Sequence, residues 1–133
     1  MELEYHPEFL RWFEELVEED IEVAGEVQAL IDALGRYGRD LGDPESHPVV
    51  TSTLGLRALR RTPPTNVTPH AQRPPVIRIL YGFVSPATGD IRAVLLLGGD
   101  KMELGSRWYP ANLAAAEGRL TVLAGQRNWR IVR

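Results

Sequence analysis

The sequence predicts a single α+β domain: an N-terminal helical hairpin packed on a small, mainly antiparallel, twisted sheet, with a further helix near the C-terminus. Two observations predict this class. Apolar residues recur at helical spacing in the first third of the chain, and the middle third holds runs of β-branched and large apolar residues separated by turn residues. A chain of 133 residues can bury its own core, so we expect one domain over residues 1–133.

The N-terminal third should contain a strand and two helices. Apolar residues alternate with glutamates over residues 1–5, which predicts a short strand. Pro7 suits the first turn of a helix that should end near Val17. A second run at helical spacing predicts a helix over residues 23–34, with Asp20 as its N-cap. The two helices would cover one face of the sheet.

Three strands should follow, at about residues 55–61, 76–84 and 91–98, and a polar loop over residues 85–90 joins the last two. This order predicts a meander. Residues 62–75 hold five of the ten prolines and should form a long loop between the first two strands.

The C-terminal part should begin with a helix. Pro110 would open it, and it should run over about residues 111–123. A basic tail follows over residues 126–133, and it could form a further strand, contact RNA or remain a frayed terminus.

The net charge of −3 conceals a division between the two parts of the chain. Residues 1–34 carry a charge of −10, whereas residues 35–133 carry +7. A local surplus of cations can bind phosphates whatever the total charge. Two ordinary solvated faces of opposite sign would give the same pattern.

Several function classes are disfavoured by composition. The chain has no cysteine, which removes disulfides, thiolate metal sites and a cysteine nucleophile. Its three histidines show no metal-ligand spacing, so we expect no metal and no cofactor. No apolar run has membrane-spanning length, and the glutamate-rich N-terminus is not a signal peptide. We therefore expect a soluble, cytoplasmic protein without a membrane partner.

Arg78 is the strongest single functional candidate. Strand alternation places it beside Leu80, on the face opposite Ile77 and Ile79. A guanidinium in mid-strand is costly to bury without a partner, which favours a role in binding a polyanion such as RNA. The alternative is an ion pair with a carboxylate of the N-terminal helices.

Other cations lie on or beside the predicted strands. Unless a bulge intervenes, alternation places Arg57 and Arg61 on one face of the first of the three strands and Arg60 on the other, so the three cannot all contact one phosphate. Arg73, near the end of the proline-rich loop, could close over a substrate. Any arginine that points away would be ordinary solvated surface.

Two segments follow the last strand. Gly98-Gly99-Asp100-Lys101 would allow a ligand to approach the backbone while Lys101 reaches forward, although Asp100 could equally form a plain turn. Trp108 could stack on a base and Tyr109 could donate from its phenol, but the pair could instead pack against the final helix.

The order of these motifs resembles the RelE/HigB group of toxins, in the RelE/ParE superfamily, from bacterial type II toxin–antitoxin systems. The resemblance covers nearly the whole chain. The segments that carry it are Glu4-Tyr5-His6-Pro7-Glu8-Phe9, Leu41-Gly42-Asp43-Pro44, Leu56-Arg57-Ala58-Leu59-Arg60, Arg78-Ile79-Leu80-Tyr81-Gly82-Phe83 and Val94-Leu95-Leu96-Leu97-Gly98-Gly99-Asp100-Lys101. The proline-rich loop and the acidic net charge depart from the family pattern.

The resemblance implies a metal-independent endoribonuclease that cleaves mRNA on the ribosome and so inhibits translation and growth. The catalytic residues would be Arg78, which stabilises the phosphate in the transition state, with Lys101 and Tyr109 for proton transfer or substrate placement. The RNA-binding residues would be Arg57, Arg60, Arg61, Arg73 and Trp108.

The implied partners are mRNA and a cognate antitoxin with a helix-turn-helix DNA-binding domain. Two alternatives remain open. One is a ParE-like inhibitor of DNA gyrase that cuts no RNA, and the other is a non-catalytic, RNA-binding relic of a toxin.

Overall fold

Six strands and three α-helices make up the part of the chain that the computed structural model describes, residues 1–61, 75–87, 89–102 and 104–133. In chain order they are β1 (Leu3–Tyr5), α1 (Pro7–Glu19), α2 (Ile21–Tyr37), β2 (Ser46–Pro48), β3 (Arg57–Arg60), β4 (Ile77–Ser85), β5 (Arg92–Asp100), α3 (Trp108–Arg127) and β6 (Arg130–Val132). The predicted α+β class is confirmed. The predicted proline-rich loop lies outside the described residues except for Pro75.

The strands form one mixed sheet in the order β1-β5-β4-β3-β2. Only β1 and β5 run parallel among the pairs of the described residues. The nine-residue β4 pairs with β3 along its first half and with β6 along its second, so β6 continues the line of β3. The predicted meander of β3, β4 and β5 is confirmed, and β4 supplies its central strand.

Residues at the helix ends explain why the helical hairpin forms where it does. Pro7 occupies the first position of α1, where its missing N–H costs no hydrogen bond. Asp20 caps α2 by accepting a hydrogen bond from the backbone N–H of Val23 at 3.2 Å. Gly38, with φ of +57°, ends α2 in a conformation that favours glycine. Both helices extend slightly beyond the predicted bounds.

The sheet buries an apolar cluster on each face. The cluster under the hairpin contains Phe9 of α1, Ile31 of α2 and Tyr81 of β4, and the predicted alternation of β4 is confirmed there. The cluster on the opposite face packs α3 onto the sheet through Leu120 and Leu80. Both faces of the sheet are therefore largely covered, one by the hairpin and the other by α3.

The C-terminal part differs from the prediction at both ends of its helix. α3 begins at Trp108, so Pro110 lies inside its first turn, where the backbone N–H groups lack intrahelical partners. The helix ends at Arg127, and the left-handed conformation of the following Asn128 closes its last turn. The basic tail then forms β6, which is the strand alternative and not a frayed terminus. No helix of the described residues combines the length and hydropathy needed to cross a bilayer.

Candidate functional site

Arg60 and Arg78 lie side by side where β3 and β4 pair, on the face of the sheet that α3 partly covers. Arg60 forms an ion pair with the exposed Asp43. Arg78 has no carboxylate partner among the described residues, so the predicted alternative, an ion pair with the N-terminal helices, is not observed there. Two guanidinium groups on one open face produce a local positive potential.

Arg78 is held in place by neutral acceptors. Its Nη1 donates to the carbonyl oxygen of Ile77 at 2.9 Å and to that of Arg61 at 3.4 Å. Its Nε donates to the hydroxyl of Tyr109 at 3.2 Å. Because these acceptors carry no charge, they fix the guanidinium and leave its positive charge uncompensated.

Tyr109 and Lys101 approach Arg78 from two different elements. Tyr109 is the second residue of α3, and Lys101 directly follows β5. The Lys101 ammonium lies 5.9 Å from the centre of the Tyr109 ring. Partial burial, and then the charges of Arg78 and Arg60, lower the pKa of Lys101. Its ammonium is therefore a better proton donor than that of a solvated lysine.

His47 completes the group from β2. Its ring meets the Tyr109 ring edge-on at 6.0 Å between ring centres, and its Nδ1 is buried without a hydrogen-bond partner among the described residues. Burial lowers the pKa of His47, and the charges of Arg60 and Arg78 lower it further. The imidazole is therefore neutral at pH 7 and can accept a proton.

We call these five residues the basic cluster: His47, Arg60, Arg78, Lys101 and Tyr109. The cluster combines three cations, a phenol and a neutral imidazole. Such a set can bind a phosphodiester, stabilise extra negative charge on it, and take up or supply a proton. No group of three or more histidine, aspartate or glutamate side chains within the described ranges could hold a metal ion.

Comparison with known proteins identifies the family. No family model and no solved structure matches the chain. The chain is 35% identical over 114 residues to a Mycobacterium tuberculosis (strain ATCC 25618 / H37Rv) protein named "Putative toxin HigB3", and the match covers 85% of this chain and 84% of that protein. The chain belongs to the HigB family of toxins. Such a toxin is one half of a toxin–antitoxin pair, which implies an antitoxin partner.

Two predicted RNA-binding residues of this HigB toxin lie on the hairpin face and not in the basic cluster. Arg57 donates to the hydroxyl of Ser46 at 3.2 Å and to the carbonyl of Leu41 at 3.5 Å. Arg61 is 7% exposed and forms an ion pair with Glu26 of α2. The predicted alternation of the three arginines is confirmed, and only Arg60 faces the cluster. Arg61 therefore ties the hairpin to the sheet.

Trp108 is buried in the core, and Arg73 lies outside the described residues. The Trp108 side chain is 3% exposed and packs in the apolar cluster under α3. Its ring is therefore not free to stack on a base in this structure, which agrees with the packing alternative. Tyr109, one position further along α3, turns towards Arg78 instead.

The two glycines near the end of β5 make room for aromatic rings. A Cβ on Gly98 would lie 2.3 Å from the Trp12 ring, and a Cβ on Gly99 would lie 3.0 Å from the Trp108 ring. The two tryptophans therefore occupy the space that the sequence assigned to a ligand. Of the segment Gly98-Gly99-Asp100-Lys101, Lys101 is the residue whose side chain lies beside Tyr109.

Sequence reasoning set His47 aside with the other two histidines and did not place it beside Arg78. It lies in the three-residue β2, whose sequence Ser46-His47-Pro48 is too short to show alternation and contains a proline that disfavours a strand. The register of β2 with β3 sets His47 opposite Ala58, beside Arg60. The position of His47 depends on the pairing of two separate segments, and no local sequence pattern predicts that pairing.

Proposed function

We propose that this HigB toxin is a metal-independent endoribonuclease that cleaves mRNA at the basic cluster. The observation that carries the proposal is the state of Arg78, which is fixed by Tyr109 and two carbonyls but has no carboxylate partner among the described residues. Its charge is available for the phosphate, where negative charge increases in the transition state.

The reaction uses the RNA's own nucleophile. The 2′-oxygen attacks the adjacent phosphorus, a 2′-O–P bond forms and the P–O5′ bond breaks. The products are a 2′,3′-cyclic phosphate and a 5′-hydroxyl. The protein then has to remove a proton from the 2′-oxygen, stabilise charge on the phosphate and supply a proton to the leaving 5′-oxygen.

The protonation state of each residue in the basic cluster determines which of these tasks it can perform. His47, kept neutral by its lowered pKa, accepts the 2′-hydroxyl proton. Arg78 and Arg60 stabilise the negative charge on the phosphate, because guanidinium holds its proton and cannot act as an acid. Lys101, with its lowered pKa, or Tyr109 donates to the leaving oxygen.

The charge distribution and the family support the partners that we propose. The substrate is mRNA on the ribosome, where the toxin stops translation and growth. The antitoxin, which carries a helix-turn-helix DNA-binding domain, presents an acidic segment that covers the basic cluster.

A cell-free translation extract tests the proposal. We expect the toxin to generate new mRNA ends, mapped by primer extension, only while ribosomes translate. Arg78→Ala should lower the cleavage rate by about 100-fold or more, as expected for loss of a group that stabilises the transition state. Arg36→Ala removes an exposed arginine at the end of α2 and should cleave like the unmodified toxin.

Two results would contradict the proposal. Equal cleavage by Arg78→Ala, in a variant whose circular dichroism and melting temperature show that it is folded, would remove the basic cluster from the chemistry. Intact mRNA together with inhibited gyrase supercoiling would instead favour the ParE-like alternative.

A further inference from the structure

A wide apolar groove opens beside the basic cluster, between the segment that follows β2 and the first half of α3. Its volume is about 670 Å³. The apolar residues that line it are Pro48, Val49, Val50, Pro110, Leu113 and Ala114. Val50 is 92% exposed, so the lip of the groove presents a bare aliphatic side chain to solvent. An exposed apolar surface of this kind is typical of a binding site.

The groove and the basic cluster share a wall. His47 and Tyr109 belong to the cluster and also line the groove. The hydroxyl of Tyr109 accepts a hydrogen bond from Arg78, while the same side chain borders the groove. A tyrosine side chain is about as long as the separation between a phosphate and its own nucleobase. A nucleotide with its phosphate beside Arg78 can therefore reach into the groove with its base.

The charges along the groove favour a single base over a continuing strand. Cations lie at the end formed by His47 and Tyr109, whereas Glu117 lines the groove further along α3. Glu117 accepts a hydrogen bond from the hydroxyl of Thr53 at 2.9 Å, which holds the carboxylate in place. The carboxylate repels a second phosphate, but it can accept a hydrogen bond from the amino group of a base.

We propose that the groove receives the base of the nucleotide whose phosphate the basic cluster holds, splayed out from its neighbours. Single-stranded RNA is commonly read in this way, with unstacked bases packed on protein side chains. The proposal rests on the proposed RNA cleavage and adds a substrate preference to it. Adenine, cytosine and guanine carry an amino group for Glu117, and uracil does not.

Two neighbouring alanines of α3 provide a matched test. Ala114 and Ala115 are both exposed, but only Ala114 lines the groove. Ala114→Trp would fill the groove, whereas Ala115→Trp places the same ring outside it. The probe is a fluorescent trinucleotide whose 2′-O-methyl groups prevent cleavage, with either adenine or no base at its centre, and binding is followed by fluorescence anisotropy.

We expect Ala114→Trp to weaken binding of the adenine trinucleotide about tenfold, the scale of one lost base contact. Ala115→Trp should bind it like the unmodified toxin, and the abasic trinucleotide should not distinguish the two variants. Equal affinity of both variants for the adenine probe would overturn the proposal. So would an Ala114→Trp variant that loses only the antitoxin, because the groove would then be a protein-docking site.

Cleavage in the translation extract separates this proposal from the proposed function. If the unmodified toxin cleaves and Ala114→Trp cleaves the same sites at the same rate, the base-binding groove is wrong while the nuclease stands. If the unmodified toxin does not cleave, the proposed function itself fails. Cleavage by the unmodified toxin that avoids uracil, with this preference lost in Ala114→Trp but kept in Ala115→Trp, supports both.

Discussion

Arg78 shows how a charged side chain near the start of a strand can be held by neutral groups, with no ion pair among the described residues. It donates to two main-chain carbonyls and to the Tyr109 hydroxyl, so its hydrogen-bonding groups are largely satisfied while its charge remains. Arg61, directly after the neighbouring strand, has the opposite environment, because it forms an ion pair with Glu26. The contrast favours a structural role for Arg61 and supports the proposed phosphate-binding role of Arg78.

The Tyr109 hydroxyl accepts a hydrogen bond from Arg78 and is a candidate for the proposed proton transfer. Tyr109→Phe keeps the ring but removes the oxygen that accepts from Arg78, so we expect cleavage to slow by about 100-fold while the melting temperature changes little. Single-turnover cleavage assays and thermal melts measure the two effects. Tyr37→Phe, at a tyrosine that is 54% exposed, is the control and should change neither. Full activity in Tyr109→Phe would assign the tyrosine to packing alone.

The pH dependence of cleavage should report His47 and Lys101. His47 must be neutral, so kcat/KM should rise with pH through a pKa below the ordinary 6.5 of histidine. Lys101 must be protonated, so kcat/KM should fall as pH rises through a pKa below the ordinary 10.5 of lysine. A bell-shaped profile is expected. His47→Gln should remove the acidic limb, and an unchanged limb in that variant would exclude His47 as the base.

At the scale of elements, the long periodic segments were predictable and the short ones were not. The two N-terminal helices and the meander were predicted because each carries several repeats of its own spacing. β2 and β6 have three residues each and depend on partners elsewhere in the chain. β2 was not predicted, and β6 was only one of three open alternatives. The site residue on β2, His47, was therefore missed with its strand.

The start of α3 explains the different positions of Trp108 and Tyr109. The sequence predicted a helix that begins after Pro110, which left both aromatic residues in a loop. The helix begins at Trp108, and helical spacing then places that residue on the buried side with Ala116 and Leu120. Tyr109 is rotated away from this side and contacts Arg78. A proline fits any position in the first turn of a helix, so Pro110 did not have to mark the first residue of α3.

Two glycines should respond to substitution in opposite directions. Gly98→Ala places a Cβ within 2.3 Å of the Trp12 ring, so we expect a loss of about 1–3 kcal/mol in the free energy of unfolding. Gly118→Ala lies in α3 with no atom within 4 Å of its added Cβ and should gain up to about 1 kcal/mol. Chemical denaturation measures both. A stable Gly98→Ala variant would show that Trp12 does not pack as described.

At the scale of the whole molecule, the two sides of the sheet differ in charge. The outer surface of the hairpin is acidic, because Glu14, Glu15, Glu18 and Glu19 are exposed there. Beneath the hairpin, Arg57 donates to Ser46 and Arg61 pairs with Glu26. On the opposite face, beside α3, Arg78 and Lys101 have no carboxylate partner among the described residues, and Arg60 is paired with the exposed Asp43. The net charge of −3 averages over these faces, so it does not describe the surface that a polyanion would meet.

The chemical state of the RNA ends tests the central claim most directly. The account predicts that mRNA cut by the toxin carries a 2′,3′-cyclic phosphate on one fragment and a 5′-hydroxyl on the other, because the 2′-oxygen is the nucleophile. These ends should appear with the unmodified toxin and with Arg36→Ala, and not with Arg78→Ala. Fragments with 5′-phosphate ends, or identical ends in equal yield from Arg78→Ala, would contradict it.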